Sequence, residues 1–197
     1  MISIVIFLVA VAVIWTSNII IFWGEMTVPQ ISWIFLAAVI GMVLINGLVA
    51  TVCCKLMPDK WFNTSKGIFN ATKKETRFYE RIGIKKWKDK TIELGILNNF
   101  RKNKLNSVDD AQYIEKFIVE NNKGFLEHSI SIIVSIVAIF IMPKKYWLIM
   151  ALPIAITSVI INGMAVMILR YNMPRLQTLL KFSLRNNNKE KDKESTI

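Results

Sequence analysis

Histidine is nearly missing from this chain: His128 is the only one in 197 residues. A multi-histidine metal centre is therefore excluded, and no cluster of Cys, Asp and Glu with metal-ligand spacing replaces it. Cysteine is also scarce. Cys53 and Cys54 are adjacent and build no disulfide framework. The 8 glycines form no phosphate-cradling loop. Acidic residues are in deficit, 14 against 25 Lys+Arg, for a formal net charge of +11. That balance would suit a nucleic-acid binder, but 53% hydrophobic residues and four long apolar runs do not. Apolar length combined with basic polar stretches predicts a small integral membrane protein and no nucleic-acid partner.

The apolar runs predict an all-α membrane protein with four transmembrane helices. The first covers residues 1–23 and the second 31–57, joined by a short turn containing Pro29. Each is long enough for a hydrocarbon core of about 30 Å. The first run has no basic leader and no small-residue cleavage site after it, so it reads as a retained helix. Gly41 and Gly47 would let a neighbouring helix approach the second span closely, or else simply face lipid. A second hairpin occupies residues 125–180, with spans at 125–142 and 147–169 around a short turn at Pro143. Residues 58–124 form a large basic loop, and 181–197 read by composition as a disordered polar tail.

Charge sets the expected orientation. From Lys55 to His128 there are sixteen Lys/Arg and ten Asp/Glu, and from Arg170 onward seven and three. The first short turn carries no Lys or Arg, whereas the second carries Lys144 and Lys145. The positive-inside rule places the loop and both termini in the cytoplasm of a multi-pass cell-membrane protein. The sequons at Asn63 and Asn70 would then go unused.

Inside the loop, Lys73, Lys74, Arg77, Arg81, Lys85 and Lys88 recur at near-helical spacing, interleaved with Phe78, Ile82 and Trp87. The pattern suits an anionic lipid surface or a phosphorylated ligand, as well as a plain solvated face. Residues 98–106 read as loop, and Ser107-Val108-Asp109-Asp110 as a capping-box-like start. Ala111, Ile114, Phe117, Ile118, Asn121 and Phe125 then mark one face of an amphipathic helix that His128 shares. That helix would run on into the third span, with Gly124 a candidate bend.

Spans three and four must be antiparallel neighbours because the turn between them is short. The start of one and the end of the other therefore meet at one membrane face. This predicts that Glu127 and His128 lie near Arg170, Tyr171, Asn172 and Arg175, with Asn162 two turns deeper. Ionisable groups at this depth mark functional sites. A neutral imidazole removes a proton from a hydroxyl, a carboxylate orients it, and Asn and Arg donors hold an oxyanion or a phosphate. The plain alternative is a boundary histidine, a snorkelling arginine and a belt tyrosine at an ordinary helix end, with Pro174 as its stop.

The same residues resemble a known family. Arg170-Tyr171-Asn172-x-Pro174-Arg175-Leu176 is similar to the Arg-Tyr-Asn-x-Pro-Arg-Leu ending of the glycosyl-4,4'-diaponeurosporenoate acyltransferases of staphyloxanthin-type carotenoid biosynthesis. Met57-Pro58-Asp59-Lys60-Trp61-Phe62 looks like that family's Pro-Asp-(Lys/Arg)-aromatic-Phe. Tyr79 and Lys85-Lys86-Trp87-Lys88-Asp89-Lys90 resemble its Lys-Trp-Lys box. Glu120, His128 and Asn162 fall at its Glu, His and Asn positions. The likeness runs from about residue 57 to 180. The family's Arg-Ala-Glu before the histidine reads Lys123-Gly124-Phe125 here, leaving Glu127 as the replacement, and Leu169 stands where a Gln often precedes the motif.

What the resemblance implies is transfer of a fatty acyl group from acyl-CoA to a sugar hydroxyl of a membrane glycolipid. His128 would be the general base, with Glu127 and Glu120 beside it. Arg170, Tyr171, Asn172, Arg175, Asn162, Lys85, Trp87, Lys88 and Asp59 would bind substrate. No metal or cofactor is implied beyond acyl-CoA as co-substrate. Two other readings fit the same residues: a lipid or prenyl methyltransferase, and a non-catalytic four-span protein docking on anionic lipid or a partner enzyme. Cys53 and Cys54 are juxtamembrane and suit either palmitoylation or simple packing. A homo-oligomer is compatible with all of these.

Overall fold

A computed structural model describes residues 2–63, 67–91 and 110–194 of the chain, with side chains through residue 187. The described residues are helical throughout apart from turns and one isolated bridge between Trp23 and Met26. Four helical stretches are long and apolar enough to cross a membrane.

Helix α1 (Ile2–Ile21) has 20 residues, about 30 Å at 1.5 Å per residue, which matches a bilayer core. Gly24, at φ 88, makes the reversal that a residue with a Cβ resists. Helix α2 (Val28–Thr51) starts three residues before the expected position. Gln30 turns back to accept the Thr27 N–H at 3.0 Å, and Pro29 sits in the first turn, where no N–H is needed. A π-helical turn, Val52–Leu56, ends this span ahead of Pro58. The expected close approach at the glycines does not occur. A Cβ added to Gly41 or Gly47 would meet nothing within 4 Å, so both lie on the outer surface.

After short turns at Asp59–Trp61 and Gly67–Phe69 come α3 (Lys73–Arg81) and α4 (Ile84–Trp87). The basic stretch is thus two short helices rather than one, broken at Gly83 with φ 72. Helix α5 (Ala111–Val137) begins at Asp110, whose Oδ1 accepts the N–H groups of Gln112 and Tyr113 at 2.9 and 3.2 Å. The cap therefore lies at Asp110, not at Ser107. Ser107–Asp109 and the 98–106 loop lie outside the described residues. As expected, α5 runs unbroken from its amphipathic part into the third span, and it does so straight through Gly124.

Helix α6 (Leu152–Glu194) extends well past residue 169, where the fourth span was expected to end. Pro174 does not stop it, and residues 181–194 continue the helix rather than forming a disordered tail. At 43 residues it is about 65 Å long, twice a hydrocarbon core. A mid-helix proline costs roughly 3 kcal/mol. Met173 and Leu176, which flank it, are 0% and 4% exposed against Ile114, Phe117 and Ile118 of α5. Burying each contributes about 1.5–3 kcal/mol, enough to offset the break. Leu179 and Leu180 extend the same contact up to the start of the polar stretch.

The apolar cores lie at two levels. Ile14, Phe22, Ile31, Phe35, Tyr146, Met150 and Ile154 pack together near the two short turns. There Asn18, fully buried on α1, donates to the Ile149 carbonyl at 3.1 Å, inside the π-turn Trp147–Ala151. At the loop end, Tyr79 and Ile84 pack on Ile168 and Tyr171. Outward-facing Ile4, Leu8, Val13, Leu44 and Leu48 give α1 and α2 an apolar surface of the kind that faces lipid.

Candidate active site

Between those levels α5 and α6 meet through polar side chains. On α5, Asn121, His128 and Ser135 are seven residues apart, two turns, and so share one stripe. Opposite them on α6 stand Leu169, Asn162 and Ser158, as an antiparallel pair requires. Asn121 Nδ2 donates to the Leu169 carbonyl at 3.2 Å, and His128 Nδ1 lies 2.8 Å from Asn162 Oδ1. Ser135 Oγ and Ser158 Oγ are 2.7 Å apart.

Glu127 does not orient the imidazole by hydrogen bonding. Its Oε1 is 3.8 Å from His128 Nδ1, a distance at which charges attract without sharing a proton. Consecutive helical residues point about 100° apart. His128 therefore faces α6, while Glu127 faces the π-turn Val52–Leu56, where the Cys54 thiol donates toward its Oε2 at 3.9 Å. Both side chains are largely covered, at 25% and 19% exposure. Cys53 is fully buried. Glu120 stands eight residues before His128, about 12 Å along the axis, and so lies away from the imidazole.

The arginine motif follows Asn162 on the same long helix. A helix that continues past the membrane boundary stretches Arg170 to Arg175 along its axis, roughly 12–20 Å beyond Asn162. The side-chain contacts form two successive levels along α6, one around His128 and Asn162 and one around Arg170. At the second level, Arg170 grips Glu75 in a fork, Nε to Oε1 at 3.0 Å and Nη2 to Oε2 at 2.9 Å. It also donates to the carbonyls of Asn70, at 2.9 Å, and Ile68, while its guanidinium lies 5.3 Å from the Phe125 ring centre. Glu75 in turn caps α3 through the Thr72 N–H at 2.7 Å. The hydrogen bonds from Arg170 hold the Glu75 carboxyl below its ordinary value of 4.5, against the opposing effect of burial. Arg170 thus fastens the loop to α6.

Tyr171 is 2% exposed, and its hydroxyl donates to Glu80 Oε1 at 3.3 Å. Arg175, exposed, donates from Nη2 to that hydroxyl at 3.1 Å and lies over the ring at 4.9 Å. Lys85 pairs with Glu80 at 2.8 Å; their hydrogen bond lowers the carboxyl and raises the ammonium. Trp87 packs on the Tyr79–Tyr171 cluster, and Lys88 reaches Asp89 at 3.5 Å. Asn172 is half-buried, with no side-chain hydrogen bond among the described residues. Asp59 pairs with Lys123, which is only 4% exposed and also donates to the Cys54 carbonyl at 3.2 Å. An ammonium there satisfies a carbonyl left without a partner at the end of a helix.

The sequence reading passed over Glu75, Lys123, Asn46 and Ser135. A polar residue every seventh position inside an apolar run was the available signal for Ser135. Long-range partners such as Glu75 for Arg170 leave no periodic trace. Among the described residues, no group of three or more His, Cys, Asp or Glu could hold a metal ion. No curated protein and no solved structure matches the chain. The model of the CrtO family, glycosyl-4,4'-diaponeurosporenoate acyltransferase, matches residues 58–182. That segment is well over half of the chain and spans every level of the polar α5–α6 interface, and the chain belongs to this family of acyltransferases of carotenoid biosynthesis.

Proposed function

We propose that this protein moves a fatty acyl group from acyl-CoA to a sugar hydroxyl of a membrane glycolipid, a carotenoid glycosyl ester or a related isoprenoid glycolipid. The observation that carries the reading is the sole imidazole of the chain, three-quarters covered and bonded through one ring nitrogen to Asn162 between two apolar helices. Its other nitrogen is left to take the acceptor proton. The hydroxyl oxygen then attacks the thioester carbonyl, the carbon–sulfur bond breaks, and the departing thiolate carries the proton away as coenzyme A. Glu127, 3.8 Å from the ring, stabilises the imidazolium between these steps.

The loop supplies the donor side. With loop and termini in the cytoplasm, the exposed Arg175 and Lys85 meet the phosphates of the acyl donor as it arrives from water. The acceptor's apolar body stays in lipid. Arg170 acts indirectly, by holding the loop over the end of α5.

Purified protein in lipid nanodiscs, offered labelled acyl-CoA and labelled S-adenosylmethionine in parallel, tests the donor class. Saturable binding of acyl-CoA alone is the expected result. Binding of S-adenosylmethionine alone would replace this reading with methyl transfer, and binding of neither would favour a docking role on anionic lipid.

A further inference from the structure

We propose that Asn162 is a positioning residue rather than a substrate ligand: it fixes His128 as the tautomer with Nδ1 protonated and Nε2 bare, and Ser158, Ser135 and Asn46 hold it in that pose. The inference rests on the acyl-transfer reading for its purpose, although not for its geometry.

The protons along this chain can be assigned from groups that only accept. Oxygen and nitrogen of an amide are told apart by their partners. One end of the Asn162 amide lies 2.9 Å from the Ser158 carbonyl, which has no proton to give, so that end is the NH₂. The other end is then the oxygen, and it faces His128 Nδ1 at 2.8 Å. An amide oxygen cannot donate, so Nδ1 must carry the hydrogen. A neutral imidazole has only one N–H, which leaves Nε2 as the acceptor for a substrate hydroxyl.

The surrounding hydroxyls fall into line. Ser158 Oγ receives Asn162 Nδ2 at 3.2 Å and Asn46 Nδ2 at 3.2 Å. With both acceptor sites taken, its own hydrogen goes to Ser135 Oγ at 2.7 Å. Ser135 passes its hydrogen to the Ser131 carbonyl at 2.7 Å, and Asn46 gives a second one to the Met42 carbonyl at 3.0 Å. The chain thus ends on backbone carbonyls in α2, α5 and α6, and turning either amide round would set its oxygen against a carbonyl, that of Ser158 for Asn162 and that of Met42 for Asn46. Asn46 belongs to the first hairpin, which precedes the family-matched segment. The N-terminal helices therefore contribute to the site rather than serving as an anchor alone.

Because His128 is the only histidine, protein labelled with ¹⁵N-histidine shows the two ring nitrogens of a single imidazole. Spectra of the full chain in nanodiscs, at a pH where the ring is neutral, read the tautomer without any turnover. Wild type should show a protonated Nδ1 and a bare Nε2. Asn162→Leu should shift the population toward the Nε2–H form, Asn162→Asp should keep Nδ1 protonated, and Ser158→Ala should give a mixture. In the acyl-transfer assay Asn162→Leu should lower kcat by roughly 10²-fold, the low end of a positioned base's contribution, with KM unchanged. A wild-type spectrum with Nε2 protonated, an unaltered spectrum in Asn162→Leu, or a loss seen in KM alone overturns the proposal. The expected tautomer in a protein that transfers no acyl group would remove the acyl-transfer reading and leave the positioning intact.

Discussion

His128→Gln is expected to abolish acyl transfer, by about 10²–10⁴-fold in kcat, while the protein remains folded and membrane-inserted. The substitution retains size and an amide able to meet Asn162, but removes the only nitrogen base at this level of the bundle. The imidazole belongs to none of the apolar clusters built around Ile14, Ile114 and Ile84, so the change leaves those cores intact. Turnover of labelled acyl-CoA by purified variant and wild type checks this, with circular dichroism as the folding control. Activity within a few-fold of wild type would remove the imidazole from the chemistry and return His128 to the status of a packed polar residue.

Arg170→Lys should release the loop. The lysine keeps the charge, yet a compact ammonium cannot reproduce the fork on Glu75 and the bonds to two carbonyls together. The loss is about 1–3 kcal/mol, the scale of hydrogen bonds to a charged partner. Amide exchange in α3 should quicken accordingly, and acyl transfer should fall with it because Lys85, proposed to meet the donor's phosphates, rides on the same loop. Acid should act on the same anchor. The Glu75 carboxyl titrates below its unfolded value of 4.5 when bonded to Arg170, so its contribution is complete above that pH and fades as pH falls through the lower folded value. Exchange in α3 that is indifferent both to the substitution and to acid would show that something else holds the loop.

Much of the architecture was legible because bilayers constrain sequences severely. Four apolar runs of the right length meant four helices, and the short turn at Pro143 meant that α5 and α6 had to be antiparallel neighbours. The family, too, could be read from the Arg170–Leu176 and Met57–Phe62 motifs. Where the reading went astray, local composition stood in for tertiary contact. Residues 181–194 looked like a solvated tail by composition, whereas the helix that begins at Leu152 continues through them, past the contact of Leu176, Leu179 and Leu180 with Ile114 and Phe117. A helix presumed to end at Leu169 places the arginines beside His128. A helix that continues places them on the next level, against Glu75 and Glu80. Glu127 looked like the orienting partner because it is adjacent in sequence, yet helical rotation gives that place to Asn162 on the neighbouring helix.

The central claim is that a fatty acyl group ends on a glycosylated membrane lipid. Mass spectrometry of lipid extracts from cells with and without this chain tests it most directly. The account expects a glycosylated lipid heavier by one fatty acyl residue only where the chain is present, and absent again with His128→Gln. Identical lipid spectra in the two strains, or a shift equal to a methyl group, would contradict it.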